Sequence, residues 1–348
     1  MVEQVAVIGA GSFGTSLANV LADKGLQVDL YARREELVRE INEQHTNRHY
    51  LPEVSIHPGV RASANLSDVL KGKKWVLIVT PSSAFRETLR AMRPHLDPEA
   101  SVAHGTKGFD LETGQRMTQV MEDELPELDK SRFAVVSGPS HAEEVSQRIP
   151  TTVVVASRRQ STAEGFQDLL MTSYLRVYTN PDVIGTEVGG TLKNIIALGV
   201  GMCDGLGFGD NAKAALMTRG LTEISRLGVH LGASHLTFGG LSGVGDLIAT
   251  CTSKHSRNWR AGYALGQGKP LDEVLEQMGM VVEGVRATKA AYQIAGEQGI
   301  DMPITKAIYH VLFEGLSPKA AVEELMTRRK VHEMEEVAEA VSLKWDLP

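Results

Sequence analysis

The first half of the chain alternates short apolar runs with stretches of helical periodicity. The apolar runs cover residues 5–8, 27–31, 75–79, 101–104, 133–137, 152–156 and 175–179. Runs of this length are typical of strands that are buried on both faces of a parallel sheet. Because helical stretches separate them, the pattern predicts an α/β fold with a doubly wound, mostly parallel sheet up to about residue 180.

After residue 180 the strand signals stop and the chain becomes helical in pattern. Residues 187–201 form an apolar, glycine-rich stretch in which four residues share one stripe at helical spacing: Gly189, Lys193, Ala197 and Gly201. Each glycine costs a helix about 1 kcal/mol relative to alanine, which indicates that something approaches the stripe closely. Either a ligand or another domain reaches the lysine, or the stripe is a tight packing seam whose lysine snorkels to solvent.

A glycine-rich turn joins the first predicted strand to the first predicted helix. Its residues are Gly9, Ala10, Gly11, Ser12, Phe13 and Gly14. A G-x-G-x-x-G pattern between a strand and a helix is typical of dinucleotide-binding turns. Gly9 allows the tight turn, Gly11 lets a pyrophosphate approach the backbone, and Gly14 allows close packing of helix on strand. The alternative is a glycine turn with a purely structural role.

The end of the second predicted strand is basic. An acid at this place binds the ribose 2′-hydroxyl of NAD, whereas this chain has Arg33 and Arg34. Two guanidinium groups suit a 2′-phosphate, so the sequence favours NADPH over NADH. The alternative is a solvated basic start to a helix over residues 35–43, and Asp29, within the strand, is expected to point elsewhere.

Further candidates follow predicted strand ends and helix starts. Lys107 lies between Gly105 and Gly108 after the 101–104 strand, where the carboxyl edge of a parallel sheet binds ligands. Asp246 either belongs to a site or caps a helix. Arg257, between Ser256 and Asn258, belongs to a group of phosphate-type donors, although such clusters are usually solvated surface.

Composition narrows the possible classes. The 348 residues include 36 basic and 43 acidic side chains, and the net charge of −7 argues against a nucleic-acid partner. Two cysteines exclude a disulfide framework, and no apolar run reaches the roughly 20 residues that a bilayer requires. With no leader-like segment after Met1, we expect a cytoplasmic protein. No histidine spacing indicates a metal site.

Taken together, the motifs resemble those of bacterial NAD(P)-dependent glycerol-3-phosphate dehydrogenases over residues 1 to about 330. The matching segments are residues 9–14, 105–109, 137–145, 189–198, 242–251, 256–258 and 281–285. The resemblance implies a Rossmann-type dinucleotide-binding domain, residues 1–182. It also implies an all-α substrate domain, residues 183–330, like the C-terminal domain of 6-phosphogluconate dehydrogenase. Residues 331–348 form a tail to which the family pattern assigns no role.

The resemblance further implies that the protein catalyses the reversible reduction of dihydroxyacetone phosphate to sn-glycerol 3-phosphate, with NADPH or NADH as the cofactor. It also implies that no metal takes part and that the protein is a homodimer. It makes Lys193 the general acid/base. The implied substrate contacts are Lys107, Gly138, Ser140, Lys193, Asp246, Ser256, Arg257 and Asn258. The implied cofactor contacts include the residues of the glycine turn. They are Gly9, Gly11, Ser12, Phe13, Gly14, Arg33, Arg34, Tyr50, Lys107, Ala142, Arg257, Val281 and Glu283. His104 departs from the family, which more often has a small residue there.

Two alternatives stay open at this point. The first is a 3-hydroxyacid dehydrogenase of similar architecture, which does not need the 256–258 donor group. The second is a nicotinamide-sensing regulatory protein without turnover, which would keep the glycine turn but not the combination of Lys193, Lys107 and Asp246.

Overall fold

The structure is a computed structural model and describes residues 4–330. The predicted tail, residues 331–348, lies outside the described residues. Within them, the first part of the chain forms a sheet covered by helices on both faces, and the second part is helical, so the predicted fold class is confirmed.

The strands are β1 (Gln4–Ile8), β2 (Gln27–Tyr31), β3 (Thr46–Asn47), β4 (Leu51–Ser55), β5 (Val60–Ser63), β6 (Trp75–Ile78), β7 (Ser101–His104), β8 (Phe133–Ser137), β9 (Thr151–Ser157) and β10 (Leu175–Asn180). Eight of them form one sheet in the order β10-β9-β8-β7-β6-β1-β2-β5, and β3 pairs with β4 separately. All neighbours in the large sheet are parallel except β8 and β9.

The apolar runs form strands that are buried on both faces of the sheet, as the sequence predicted. In β1, Val5 and Val7 belong to the core on one face of the sheet, while Ala6 and Ile8 belong to the core on the other. Because helices cover both faces, every position of such a strand is apolar and no polar alternation develops.

The helices around the sheet are α1 (Ser12–Asp23), α2 (Glu35–Arg39), α3 (Leu66–Leu70), α4 (Ser82–Met92), α5 (Met117–Glu124), α6 (Ala142–Ser146) and α7 (Gln160–Leu170). The helix expected over residues 35–43 is only partly regular, because α2 continues into a π-helical turn, Glu40–Gln44. In that turn the Asn42 side chain bonds both backbone groups of Ala62, which ties the turn to β5.

The helical part consists of α8 (Val183–Gly205), α9 (Asp210–His230), α10 (His235–Phe238), α11 (Asp246–Thr252), α12 (Arg257–Gly266), α13 (Leu271–Met278), α14 (Glu283–Gln298), α15 (Pro303–Phe313) and α16 (Pro318–Met326). A π-helical turn, Leu241–Gly245, precedes α11. The central helix α8 begins earlier than the predicted residue 187, because the Asp182 side chain caps it by accepting from Gly185 N at 2.9 Å.

The glycines of α8 let other backbones touch it. A Cβ on Gly201 would lie 2.1 Å from the Trp259 carbonyl oxygen of α12, and one on Gly189 would lie 2.3 Å from the Ser242 carbonyl oxygen. The helix is long and apolar enough to cross a membrane, but 94% of its most apolar window is buried, as in the core helix of a globular fold. The packing-seam alternative therefore describes Gly201 correctly, while the surroundings of Lys193 are different.

Candidate active site

A deep cleft separates the carboxyl edge of the sheet from the helical part of the chain. Its walls come from the loops after β1, β6 and β7 and from α8, α11, α12 and the start of α14. Most of the predicted site residues line it: Gly9, Gly11, Ser12, Phe13, Arg33, Arg34, Tyr50, Lys107, Ser140, Ala142, Lys193, Asp246, Ser256, Arg257, Asn258, Val281 and Glu283. Gly14 and Gly138 do not line the cleft.

The glycine turn has the form that a pyrophosphate requires. Gly9 has a φ of +117°, which only glycine adopts readily, and Gly11 has no atom within 4 Å of where its Cβ would be. The α1 helix begins directly after it at Ser12, so backbone N–H groups face an open space. Gly14 lies beneath the turn, and a Cβ there would be 1.8 Å from the Gly9 carbonyl oxygen. These residues therefore fit a dinucleotide.

The basic pair after β2 lies at the same end of the cleft. Arg33 and Arg34 are both exposed, and the Arg34 guanidinium lies 5.8 Å from the centre of the Tyr50 ring. Asp29 points elsewhere and pairs with Lys73 at 2.7 Å. This end of the cleft thus offers cations to a ligand.

Lys107 is held by the close packing of its glycine neighbours. A Cβ on Gly105 would lie 3.0 Å from the Phe13 ring, and one on Gly108 would lie 2.6 Å from the Ser82 side chain. Neither glycine has a positive φ, so what requires glycine at both positions is close approach and not backbone freedom. The packing directs the Lys107 loop into the cleft.

Two lysines share one buried carboxylate at the bottom of the cleft. Lys107 Nζ donates to Asp246 Oδ2 at 2.9 Å, and Lys193 Nζ donates to Asp246 Oδ1 and to Thr250 Oγ1, the latter at 2.6 Å. Lys193 and Asp246 are 5% and 1% exposed. Asp246 is the first residue of α11, and its side chain makes no capping hydrogen bond. The alternative that Asp246 only caps a helix is therefore wrong.

Burial and charge set the protonation of this cluster. Burial, aided by the nearby Lys107 ammonium, lowers the pKa of Lys193 to about 7, although Asp246 opposes the shift. Burial would raise the pKa of Asp246, but the two ammonium groups hold that pKa below its ordinary value. Lys193 can therefore exchange a proton near neutral pH beside a permanent carboxylate.

The strand end after β8 provides another wall. Gly138, with a φ of +117°, turns the chain, and a Cβ there would lie 3.1 Å from Val153 Cα. Ser140 Oγ donates to the Gly138 carbonyl at 3.0 Å, and the Ala142 carbonyl accepts from Ser16 Oγ at 3.2 Å. Gly138 thus shapes the wall on which Ser140 and Ala142 lie.

The predicted phosphate donors at the start of α12 differ in how far their side chains are already engaged in hydrogen bonds within the protein. Ser256 caps the helix, because its Oγ accepts from Trp259 N at 3.2 Å. Asn258 is buried and both ends of its amide are in use. Arg257 is exposed in the cleft, where its guanidinium makes a 3.4 Å contact with the Val281 carbonyl. Arg257 is therefore the donor of this group that is freest to bind an anion.

Residues that the motif reasoning did not single out complete the site. Thr250, one turn after Asp246, also donates to the Asp246 carbonyl at 2.7 Å, and its i+4 spacing in the sequence is a usable signal. Asn194 lies in the cleft, and its Oδ1 accepts from Asn258 Nδ2 at 2.8 Å. The Asn258 Oδ1 in turn accepts from Gly284 N at 2.8 Å, which links α8, α12 and α14.

Glu283 connects the two walls of the cleft. Its Oε1 accepts from Ser82 N at 3.1 Å and its Oε2 accepts from Ser82 Oγ at 2.8 Å. Burial raises the pKa of Glu283.

Among residues 4–330 no group of three or more His, Cys, Asp or Glu side chains comes together as metal ligands would.

Comparison with known families covers nearly the whole described chain. Residues 4–163 match the family described as NAD-dependent glycerol-3-phosphate dehydrogenase N-terminus, and residues 182–323 match its C-terminus. A relative from Pelotomaculum thermopropionicum, named glycerol-3-phosphate dehydrogenase [NAD(P)+], is 56% identical over 340 residues, 98% of this chain and 97% of its own. One of the same name from Bacillus velezensis is 53% identical over 335 residues, 96% of this chain and 97% of its own.

A solved structure agrees with these sequences. The crystal structure of a glycerol-3-phosphate dehydrogenase from Coxiella burnetii superposes with a TM-score of 0.90 at 40% identity. The match covers 94% of this chain and 99% of that one. The likeness therefore includes both the sheet and the helical part that form the cleft.

Proposed function

This chain belongs to the NAD-dependent glycerol-3-phosphate dehydrogenase family, and from that premise we propose how its own residues carry out the reaction. The enzyme catalyses the reversible NAD(P)H-dependent reduction of dihydroxyacetone phosphate to sn-glycerol 3-phosphate, a precursor of glycerophospholipids. The 3-hydroxyacid dehydrogenase alternative is not favoured, because relatives more than 50% identical across nearly the full chain carry the glycerol-3-phosphate dehydrogenase name. A sensor without turnover is equally disfavoured.

The observation that carries the mechanism is the buried cluster of Lys107, Asp246 and Lys193. When bound, the nicotinamide supplies the hydride. The C2 oxygen of the substrate gains negative charge and needs a proton, and Lys193, with its pKa lowered to about 7, is suited to donate it. Asp246 and Thr250 fix the direction of the Lys193 ammonium. Lys107 adds positive charge from the opposite wall.

The phosphate of the substrate is proposed to bind at the start of α12. Arg257 offers a planar, permanently charged fork that matches a phosphate, and it lies exposed in the cleft. The Ser256 hydroxyl, whose oxygen accepts the capping bond, still has a proton to donate. Asn258 contributes mainly by holding Asn194 and the start of α14, and Gly138 and Ser140 form the facing wall.

The cofactor is proposed to be NADPH in preference to NADH. The glycine turn, with Ser12 and Phe13, would hold the pyrophosphate, while Arg33 and Arg34 would bind the 2′-phosphate. Tyr50 lies beside the Arg34 guanidinium. Ala142, Val281 and Glu283 line the cleft and are proposed to complete the cofactor contacts.

Domain limits, location and assembly are also proposals. We assign cofactor binding to residues 1–182 and the substrate wall to residues 183–330, since β10 ends at Asn180 and α8 begins at Val183. Cys203 and Cys251 are both free thiols, which suits a reducing cytoplasm. A homodimer, expected from the family resemblance, is tested by measuring the mass of the purified protein in solution.

The function is tested by following NADPH oxidation with dihydroxyacetone phosphate. We expect turnover with this substrate and little with unphosphorylated dihydroxyacetone or with 3-oxo acids. Faster turnover of a 3-oxo acid than of dihydroxyacetone phosphate would overturn the assignment of substrate class.

A further inference from the structure

A buried polar network joins the two halves of the chain beside the active site. Glu187, on the second turn of α8, accepts from the Thr118 backbone N–H at 2.7 Å and from the Arg116 guanidinium. Its Oε1 also lies 3.2 Å from His104 Nε2. The Glu187 and His104 side chains are 4% and 0% exposed, and neither lines the cleft. The reaction steps derived above do not use this network.

Both oxygens of the Glu187 carboxylate accept hydrogen bonds from donors on the other side of the interface. Burial would raise its pKa, but the hydrogen bond from His104 and the positive charge of Arg116 keep that pKa below its ordinary value. His104 Nδ1 has no hydrogen-bond partner among residues 4–330, whereas Nε2 lies 3.2 Å from Glu187 Oε1 and 3.4 Å from Thr118 Oγ1. A buried anion that loses one such donor is strongly destabilised. The contact therefore has a single favourable geometry.

The network lies next to the catalytic cluster on both segments that it joins. His104 ends β7 and precedes Lys107 by three residues, while Glu187 precedes Lys193 by six residues on α8. Six residues of α-helix span about 9 Å. The same two segments are thus connected twice, once through Glu187 and once through the carboxylate of Asp246.

We propose that Glu187 is a positioning residue that sets how closely Lys193 approaches Lys107. Because α8 is one continuous helix from Val183 to Gly205, a shift at Glu187 is transmitted to Lys193. Misplacement of a catalytic group by about 1 Å can cost a factor of about 10² in rate. This inference rests on the proposed roles of Lys193 and Lys107.

The Glu187→Gln variant tests the proposal. Glutamine keeps the volume but turns one acceptor into an N–H donor that faces an existing donor. We expect kcat to fall by about 10- to 100-fold. The dissociation constant of NADPH should stay within about twofold of wild type, because Glu187 does not touch the glycine turn.

Glu223→Gln is the control, and it is measured above pH 7, because burial raises the pKa of Glu223 to about 7 and its carboxylate must be ionised as that of Glu187 is. Glu223 of α9 is 2% exposed and accepts from the backbone N–H groups of Ile304 and Thr305, outside the cleft lining. Its replacement should lower the melting temperature as Glu187→Gln does, yet leave kcat within about twofold. Equal losses of kcat in the two variants would overturn the proposal, since any buried carboxylate would then have the same effect.

A double variant separates positioning from a general defect. With Lys193→Met already present, the position of the Lys193 ammonium no longer matters, so adding Glu187→Gln should lower kcat by no more than about twofold further. Multiplication of the two losses would contradict the inference. If Lys107→Met and Lys193→Met leave kcat unchanged, the proposed function of the cluster fails, and not only this inference.

Substitution of His104 provides a test if Glu187→Gln does not fold. His104→Gln retains an N–H that can reach Glu187, whereas His104→Leu removes it. We expect kcat to fall in His104→Leu and to recover in large part in His104→Gln. The same kcat in both variants would overturn the inference.

Discussion

Replacing Lys193 by methionine tests the chemical step directly. Methionine matches the apolar stem of lysine as far as Cε and lacks only the position of the ammonium, so we expect the packing of α8 to be retained. Asp246 keeps the Lys107 ammonium at 2.9 Å, and it is therefore not left as an unpaired buried charge. The change removes only the group that we assign to protonate the C2 oxygen.

The expected loss follows from the role. A positioned general acid contributes a factor of about 10²–10⁴ to turnover. That range corresponds to about 3–5.5 kcal/mol of activation free energy. Since Lys193 does not contact the glycine turn, the affinity for NADPH should change by less than about twofold.

The pH dependence gives a second signature. With its pKa lowered to about 7, Lys193 is protonated below that pH and neutral above it. Reduction of the ketone needs the ammonium, so its kcat should fall as the pH rises through about 7, and oxidation of glycerol 3-phosphate should show the opposite slope. The Lys193→Met variant should lose the pH dependence near pH 7 in both directions of the reaction.

The assay is NADPH oxidation under saturating substrate, with NADPH binding and thermal melting measured in parallel. Lys73→Met is the control, because Lys73 is also buried and paired with an aspartate, Asp29 at 2.7 Å, but lies outside the cleft lining. It should keep near-normal kcat. If Lys193→Met retains more than about a tenth of turnover, Lys193 is not the general acid, and Lys107 becomes the candidate.

The remaining predictions concern the two phosphates and the α8 seam. Alanine at both Arg33 and Arg34 should raise the Michaelis constant for NADPH by about 10-fold or more and leave that for NADH nearly unchanged, since each charged hydrogen bond contributes about 1.5–3 kcal/mol; equal losses for both cofactors would refute this. Arg257→Lys should raise the Michaelis constant for dihydroxyacetone phosphate by about 10-fold, because lysine cannot form the fork, whereas an equal loss with unphosphorylated dihydroxyacetone would show that Arg257 does not bind phosphate. Gly201→Ala should destabilise the fold by about 1–3 kcal/mol, because its Cβ would meet a backbone oxygen at 2.1 Å. Gly296→Ala, on a helix with open space around it, should instead stabilise by up to about 1 kcal/mol, and a melting experiment that reverses this order would contradict the packing argument.

Local features of the fold were predictable from the sequence because they depend on neighbouring residues. The glycine turn needs only that Gly9, Gly11 and Gly14 lie between a strand and a helix. The alternation of buried runs likewise predicted the sheet and its doubly wound form. The antiparallel direction of β9 had no such signal, since an apolar run does not show which way its strand is oriented.

The convergence of the site needed the tertiary structure. Lys107 and Asp246 are 139 residues apart in the chain, and no periodicity connects them. The family resemblance suggested that both contact substrate, but it did not show that one carboxylate joins Lys107 to Lys193. Glu187 carried no signal in the sequence beyond its place at the start of the 187–201 stretch, and its partners lie in the other half of the chain.

The shared carboxylate explains how two lysines coexist in a buried site. Two ammonium groups alone would repel each other, and burial would drive at least one of them to lose its proton. With Asp246 ionised between them the cluster carries a net charge of one when both lysines are protonated. In the proposed mechanism, that positive charge would stabilise the single negative charge that develops on the C2 oxygen. Transfer of the Lys193 proton would then neutralise the oxygen and leave Lys107 paired with Asp246. The cluster therefore starts and ends the reaction without an unpaired charge on the buried carboxylate.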